Sequence, residues 1–290
     1  MFLNGLVGTQ TVWNQAVENI LLGGQESLPP LLTYDRYGQG ESARDPTDES
    51  EFGHGLPEVV ADLHDLIEEI WKLKAPAGTG FPKVIFVANS IGCVVGRYFA
   101  QTYPGTTSAL LFLDSNIANS DQVSLFPDPD ALDFNPDVLP RGITVDQLRE
   151  TREKYRELFH PSVRNDEGLD RRNIAALLPY AHKPPLIGTG ELRTVPRVGP
   201  WIAVVGHDPE KFAEDSRVGK LHAPKALTNT YVNPVWAEYN EGLLRLTDAH
   251  IDDNVIIAEG CGHFIQTDDP SLVSRLVTSL VIAVEKDLLF

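Results

Sequence analysis

The chain has 290 residues, of which 42% are hydrophobic and 22% charged. That is enough apolar material for one large core, and it suits a single domain with an insertion better than two independent domains. A net charge of −17 argues against nucleic acid as a partner and against docking on an anionic membrane surface. No apolar run reaches the roughly 18 residues that span a bilayer, and two cysteines, Cys93 and Cys261, are too few for a disulfide scaffold and read as buried thiols.

In chain order, Phe2-Leu3-Asn4 reads as a strand that runs into a glycine turn at Gly5 and Gly8. A second apolar run, Leu31 to Tyr34, leads into Asp35-Arg36-Tyr37-Gly38-Gln39-Gly40-Glu41-Ser42. Leu56, Val59, Val60, Leu63, Leu66, Ile67, Ile70 and Trp71 recur at steps of three and four, with Asp62, Asp65, Glu68 and Glu69 on the other side. This spacing predicts a sheet-packing helix with a solvated acidic face. The run Val84 to Ala88 stops abruptly at Asn89-Ser90-Ile91-Gly92, and Cys93 to Ala100 continues as a helix. A serine at the apex of a strand–turn–helix can have its hydroxyl held clear of the sheet, where the helix N-terminus favours nearby negative charge. The same serine could also simply cap the helix that begins at Ile91.

Leu110 to Leu113 reads as a strand ending at Asp114, after which the alternation breaks. Pro127, Pro129, Pro136 and Pro140 punctuate an acidic stretch, Thr144 to Phe159 predicts a charged helix, and Arg171 to Leu178 a shorter one. Arg171-Arg172 can clamp a substrate carboxylate or pair with Asp166, Glu167 and Asp170. Trp201 to Val205 is the next strand, followed by Gly206-His207-Asp208-Pro209. Asn254 to Ala258 is the last, broken by Glu259-Gly260-Cys261-Gly262-His263-Phe264. Asp269-Pro270 supplies an N-cap and a first-turn proline for a helix whose apolar stripe runs from Leu272 to Val284. Strands are thus expected near residues 2–4, 31–35, 83–88, 109–113, 201–205 and 254–258, all parallel.

Ala88-Asn89-Ser90-Ile91-Gly92 resembles the nucleophile elbow, G-x-S-x-G, of the α/β-hydrolase superfamily, with alanine in place of the first glycine. Asp35 to Ser42 is similar to that family's D-x-x-G-x-G-x-S segment, a structural loop near the active site. The resemblance implies an α/β fold in which a mostly parallel central sheet has helices on both faces. Residues 1–115 and 197–290 would form the core, and residues 116–196 a helical lid that shapes the substrate pocket. Met1 leads straight into the strand before Gly5, which in this family carries the oxyanion loop, so the usual first two strands and any signal peptide are expected to be missing, either by truncation or in the natural form. A cytoplasmic location follows as an expectation, and Leu31 to Tyr34 should become a sheet edge.

Under the same resemblance Ser90 is the nucleophile and His263, in its Gly-flanked loop after the last strand, is the base. The acid is Asp208, after the strand Trp201 to Val205, or alternatively Asp114, because some branches carry it after the preceding strand. Backbone N–H groups of Leu6 and Ile91 would form the oxyanion hole, and Asn89, Phe126 and Leu178 are candidate substrate contacts. Cys93 sits inside the helix rather than at the turn and is no rival nucleophile, although Cys93 and Cys261 could approach one another beneath the site. The implied activity needs no cofactor or metal: hydrolysis of a small-molecule ester, thioester or lactone through an acyl-enzyme. Two alternatives stay open, a carbon–carbon bond hydrolase with the same triad and a non-catalytic small-molecule-binding protein on this scaffold. Ser90 argues against the epoxide hydrolases and dehalogenases of this fold, which use an aspartate nucleophile.

Overall fold

The computed structural model describes residues 1–24, 28–47, 50–76, 78–188 and 199–288. Among these residues six strands form one sheet: β1 (Phe2–Leu3), β2 (Val84–Asn89), β3 (Thr107–Leu113), β4 (Trp201–His207), β5 (Ala249–His250) and β6 (Ile256–Ala258). They lie in the order β1-β2-β3-β4-β5, with β6 also beside β4, and every pairing is parallel. Parallel strands buried on both faces need apolar residues at consecutive positions, which explains the unbroken runs in β2, β3 and β4. Successive side chains point to opposite faces. Phe86, Ala88, Leu110, Phe112, Ile202 and Val204 enter one core cluster; Val87, Leu111, Leu113, Ala203 and Val205 enter the other.

Helices α1 (Asn14–Leu22), α2 (Leu56–Lys74) and α3 (Ile91–Thr102) come before or between the first strands. Between β3 and β4 lie α4 (Val145–Phe159) and α5 (Ile174–Leu177). Helices α6 (Pro209–Val218) and α7 (Lys225–Leu227) come next, and a π-helical turn, Thr228–Val232, leads into α8 (Asn233–Leu244). Helices α9 (Ile265–Asp268) and α10 (Pro270–Leu288) end the chain's described structure. Ala16 and Ile20 of α1 pack with Val273, Val277, Leu280 and Val281 of α10 on one face of the sheet. Leu56, Val60 and Leu63 of α2, Val94 and Phe99 of α3, and Trp236 and Leu243 of α8 cover the other. Each Val, Leu, Ile or Phe side chain among these, fully buried, contributes about 1.5–3 kcal/mol of transfer free energy.

Three expectations are corrected here. The strand expected at residues 31–35 is reduced to a bridge between Thr33 and Phe2, because β1 is only two residues long and offers little more to pair with; it still marks the sheet edge. The helix expected over Arg171 to Leu178 is confined to Ile174–Leu177. Cys93 and Cys261 are both buried but belong to different clusters on opposite faces of the sheet, so they do not meet.

The segment between β3 and β4 is fastened to the core at three places. Thr144 and Gln147 form a capping box that starts α4, and Leu148 and Tyr155 of that helix join the core with Phe126. Buried Arg97 of α3 donates to Lys183 O at 2.7 Å, while within the segment Arg171 donates to the carbonyls of Phe159, His160 and Val163. Backbone bonds from His54 N to Gly168 O (2.9 Å) and from Asp170 N to His54 O (2.7 Å) bind the segment to the loop before α2.

Candidate active site

Ser90 stands between β2 and α3 with φ 57° and ψ −123°, a conformation an L-residue adopts at a cost of about 1–3 kcal/mol. The neighbouring chain makes the turn tight. A Cβ on Gly92 would lie 2.3 Å from Leu3 O and 2.8 Å from Asn4 O, so glycine is required where the elbow crosses β1. Ser90 makes no side-chain capping bond to α3, which removes the alternative sequence reading of it as a cap. Its backbone carbonyl instead accepts from Cys93 N and Asn116 N, both at 3.1 Å.

His263 follows β6 and presents Nδ1 to Asp114 Oδ2 at 2.6 Å. Asn89 Nδ2 donates to His263 O at 2.9 Å and to Leu113 O at 3.0 Å, which ties the histidine loop to the residue next to Ser90 and to the end of β3. Asp114 also has positive φ, 46°, and no solvent exposure. Burial works to raise its pKa, but the charge and hydrogen bond of His207 and then those of His263 outweigh it and hold the carboxyl below the usual range. His207 Nδ1 lies 2.8 Å from Asp114 Oδ1 and its Nε2 lies 3.2 Å from Asn233 Oδ1. Asn233 Nδ2 is already committed as a donor to Pro209 O and Asn229 Oδ1, so both ring nitrogens of His207 face acceptors. Phe212 stacks on His207 at 4.1 Å, and the edge of Trp236 meets both His207 and His263.

The preference for Asp208 as the partner of His263 is corrected by this geometry. Its carboxylate accepts from Glu210 N (2.9 Å), Lys211 N (3.2 Å) and Gly260 N (3.0 Å). It is the N-cap of α6 and a tie to the loop that carries His263, and those backbone donors, Gly260 first, lower its pKa. Asp114, the alternative, is the carboxylate the structure places on the ring.

Other sequence candidates divide in the same way. Leu6 and Ile91 flank the elbow, and the N–H of neither is taken up by an acceptor among the described residues. Gly5 lies against the serine: a Cβ there would be 3.3 Å from Ser90 Cβ. Asn89 is corrected from substrate contact to structural linker, since it is fully buried and its Oδ1 accepts from Gln266 Nε2 at 3.2 Å. Phe126 and Leu178 are corrected too. They show 2% and 0% exposure, so neither presents a surface to an open pocket; Phe126 packs edge-on against Tyr155. Arg172 pairs with Asp170 at 2.7 Å rather than reaching the site. Burial raises the Cys93 thiol well above its ordinary pKa, which leaves it unreactive.

Sequence reasoning missed His207 as a second partner of Asp114, and it missed a polar cluster behind the loop at Gly5. There Arg36 donates to Asn4 O (2.8 Å) and Gly5 O (3.1 Å), and Gln39 Nε2 donates to Gly5 O (2.9 Å). Glu167 closes it by pairing with Arg36 at 3.0 Å and accepting from Gln39 Nε2 at 2.6 Å. The D-x-x-G-x-G-x-S match pointed to this loop, since Asp35 Oδ1 accepts from Gln10 N (2.6 Å) and Asn4 Nδ2 (3.1 Å), and Ser42 Oγ donates to Asp35 O (2.8 Å). Two clefts contain neither Ser90 nor His263. One of about 540 Å³ is lined by Arg36, His54, Asp62 and Glu167 among others, and one of about 520 Å³ by His207 and Asn233 among others. Asp45, His54 and Asp62 in the first are close enough to share a cation, but each carboxylate faces a different nitrogen of His54, at 3.2 and 3.5 Å, and one ion can use only one of them.

No helix among the described residues is long and apolar enough to cross a membrane. A family model described as alpha/beta hydrolase family matches residues 1–276. No curated protein matches the chain by sequence. Among solved structures it is similar to a thermophilic esterase from Thermogutta terrifontis, at 14% identity and a TM-score of 0.52 over 98% of this chain and 89% of that one. It is also similar to a monoacylglycerol lipase from Paleococcus ferrophilus, at 14% identity and 0.52 over 98% and 93%. An ancestral haloalkane dehalogenase superposes with a TM-score of 0.50 at 15% identity over 98% and 91%. At such identities the likeness concerns the fold, which hosts more than one chemistry.

Proposed function

The chain belongs to the alpha/beta hydrolase family, and on that premise we propose that it is a serine hydrolase of carboxylic esters, thioesters or lactones. The observation that carries the reading is the bond of 2.6 Å between buried Asp114 and His263, in a loop held by Asn89 beside the strained turn at Ser90. Ser90 Oγ attacks the acyl carbon as His263 Nε2 takes its proton; the C–O or C–S bond of the tetrahedral adduct then breaks, and the leaving group receives that proton. Asp114 holds the imidazole with its proton on Nδ1 and stabilises the imidazolium. The N–H groups of Leu6 and Ile91 receive the oxyanion, where loss of one donor costs about 100- to 1000-fold in rate. Water, activated by His263, releases the acyl group. We assign the segment 116–196, of which residues 189–196 lie outside the described residues, the role of lid over this centre.

Reaction with a fluorophosphonate probe is the test. Stoichiometric labelling that is lost in Ser90→Ala is expected; a folded protein that stays unlabelled would leave only the binding-protein reading. A panel of p-nitrophenyl esters, thioesters, lactones and vinylogous diketones then separates acyl hydrolysis from carbon–carbon cleavage by the same serine.

A further inference from the structure

The peptide group joining Gly5 to Leu6 is trans, so its carbonyl and its N–H point in opposite directions. The carbonyl, Gly5 O, accepts from Arg36 Nη2 at 3.1 Å and from Gln39 Nε2 at 2.9 Å. That fixes the plane of the peptide and turns the Leu6 N–H away from the Arg36–Gln39 side, while Gly5 itself lies against Ser90. The next amide, Val7 N, donates to Glu167 Oε2 at 2.8 Å. Val7 is a β-branched residue at φ 51°, a conformation that persists only where its surroundings enforce it.

Glu167 is 128 residues from Gln39 and 131 from Arg36, and it reaches them from the β3–β4 segment. Its side chain is 2% exposed and that of Arg36 5%, so this is a buried pair whose members also carry the hydrogen bonds to the loop. The backbone is shaped to admit it. Gly38 has φ 76°, and a Cβ there would stand 2.2 Å from Glu167 O. A carboxylate placed only to neutralise Arg36 would need neither the Val7 bond nor the one from Gln39.

We propose that Glu167 is a positioning residue for the oxyanion hole: by clamping Arg36, Gln39 and the Val7 amide, it aims the Leu6 N–H, so that the hole is complete only while the β3–β4 segment is docked on the core. The inference rests on the serine-hydrolase reading above. It gives the segment a role in the chemical step and not only in choosing substrate, since lifting it removes the clamp. Arg36 adds a second effect, because a guanidinium on Gly5 O polarises that peptide and strengthens its N–H as a donor.

The test compares wild type, Glu167→Gln and the double variant Arg36→Met/Glu167→Met, using p-nitrophenyl acetate and a fluorophosphonate probe on the full chain. Replacing both members of a buried pair leaves no charge without its partner, but Val7 N and Asn4 O lose their side-chain partners, so the double variant is expected to fold with a denaturant midpoint below that of wild type. Its kcat should fall about 100-fold or more with KM nearly unchanged, and its labelling rate should fall in parallel. Glu167→Gln, which keeps one acceptor for Val7 N, should lie between. A folded double variant with wild-type kcat overturns the proposal, as does a loss confined to KM. Should the double variant not fold, Glu167→Gln decides alone: a folded protein with wild-type kcat overturns the clamp. Wild-type protein that neither labels nor turns over ester sinks the hydrolase reading and this inference with it, whereas failure of the clamp alone leaves wild-type labelling intact.

Discussion

The two aspartates are separated most sharply by the change Asp114→Asn. The carboxylate of Asp114 is fully buried and serves two imidazoles, His263 Nδ1 at 2.6 Å from one oxygen and His207 Nδ1 at 2.8 Å from the other. An asparagine offers one acceptor and one NH₂, so one histidine must face a donor. The position facing His207 has to stay an acceptor, since Asp114 Oδ1 also takes the His207 backbone N–H at 3.3 Å, a donor that no change of tautomer can turn. The amide oxygen therefore goes to His207 and the NH₂ to His263. Nδ1 of His263 must then accept, its proton moves to Nε2, and the ring can no longer take the proton of Ser90.

The same neutralisation in a serine protease lowers kcat about 10,000-fold, equivalent to roughly 5.5 kcal/mol of barrier, and an effect of that order is expected here. Asp208→Asn provides the contrast. Asparagine caps helices about as well as aspartate, so kcat should stay within about threefold and stability within about 1 kcal/mol of wild type. The assay is kcat on p-nitrophenyl acetate with the rate of fluorophosphonate labelling, beside denaturant unfolding of each variant. If Asp114→Asn keeps most of its activity and Asp208→Asn is crippled, the assignment of the acid to Asp114 is wrong and the tautomer argument goes with it.

Other outcomes follow from the same geometry. Because Ser90 sits at φ 57°, Ser90→Gly should be more stable than Ser90→Ala by about 1 kcal/mol in urea unfolding while both are inactive; equal midpoints would mean the turn is unstrained. Gly92→Ala would place a Cβ 2.3 Å from Leu3 O, and the expected result is loss of labelling together with destabilisation of several kcal/mol (about 3 or more), which a wild-type-like variant would refute. Leu178→Ala should cost about 2–5 kcal/mol as a core cavity, without shifting preference among acyl chain lengths, because Leu178 shows no exposure; a specificity change at constant stability would restore it as a pocket residue. Asp114 has its folded pKa depressed below 3.8, so it contributes stability that is present above its unfolded value and is lost as pH falls through the folded one. The gap in unfolding free energy between wild type and Asp114→Asn should thus narrow as pH drops below about 4, and a gap that widens there contradicts the sign.

What the sequence disclosed, it disclosed locally. Ser90 and Gly92 are legible because a strand, a tight turn and a helix leave their marks within ten residues, and α2 and α10 because apolar stripes of 3.6 period need no distant partner. His263 followed from a glycine-flanked loop after an apolar run. Asp208 reads as the partner of His263 although a local cue lay in plain view: Asp208-Pro209-Glu210 has the aspartate N-cap and first-turn proline that identified the start of α10 at Asp269-Pro270, and Asp208 is in fact the cap of α6. A carboxylate spent on two amides of its own helix and on Gly260 has little left for a histidine. Asp114 carries no such helix signature, and its freedom to serve His263 is a consequence of standing at the end of β3, one strand away from β4 and His207. Glu167 lies at the far limit of this logic. Nothing within its own segment distinguishes it from Asp166 or Asp170, which pairs locally with Arg172; what singles it out is that folding carries it across more than a hundred residues to a loop whose amides need an acceptor. Residues whose role is set by their own turn or helix can be read from a sequence, whereas residues that position another element can be read only after that element is in place.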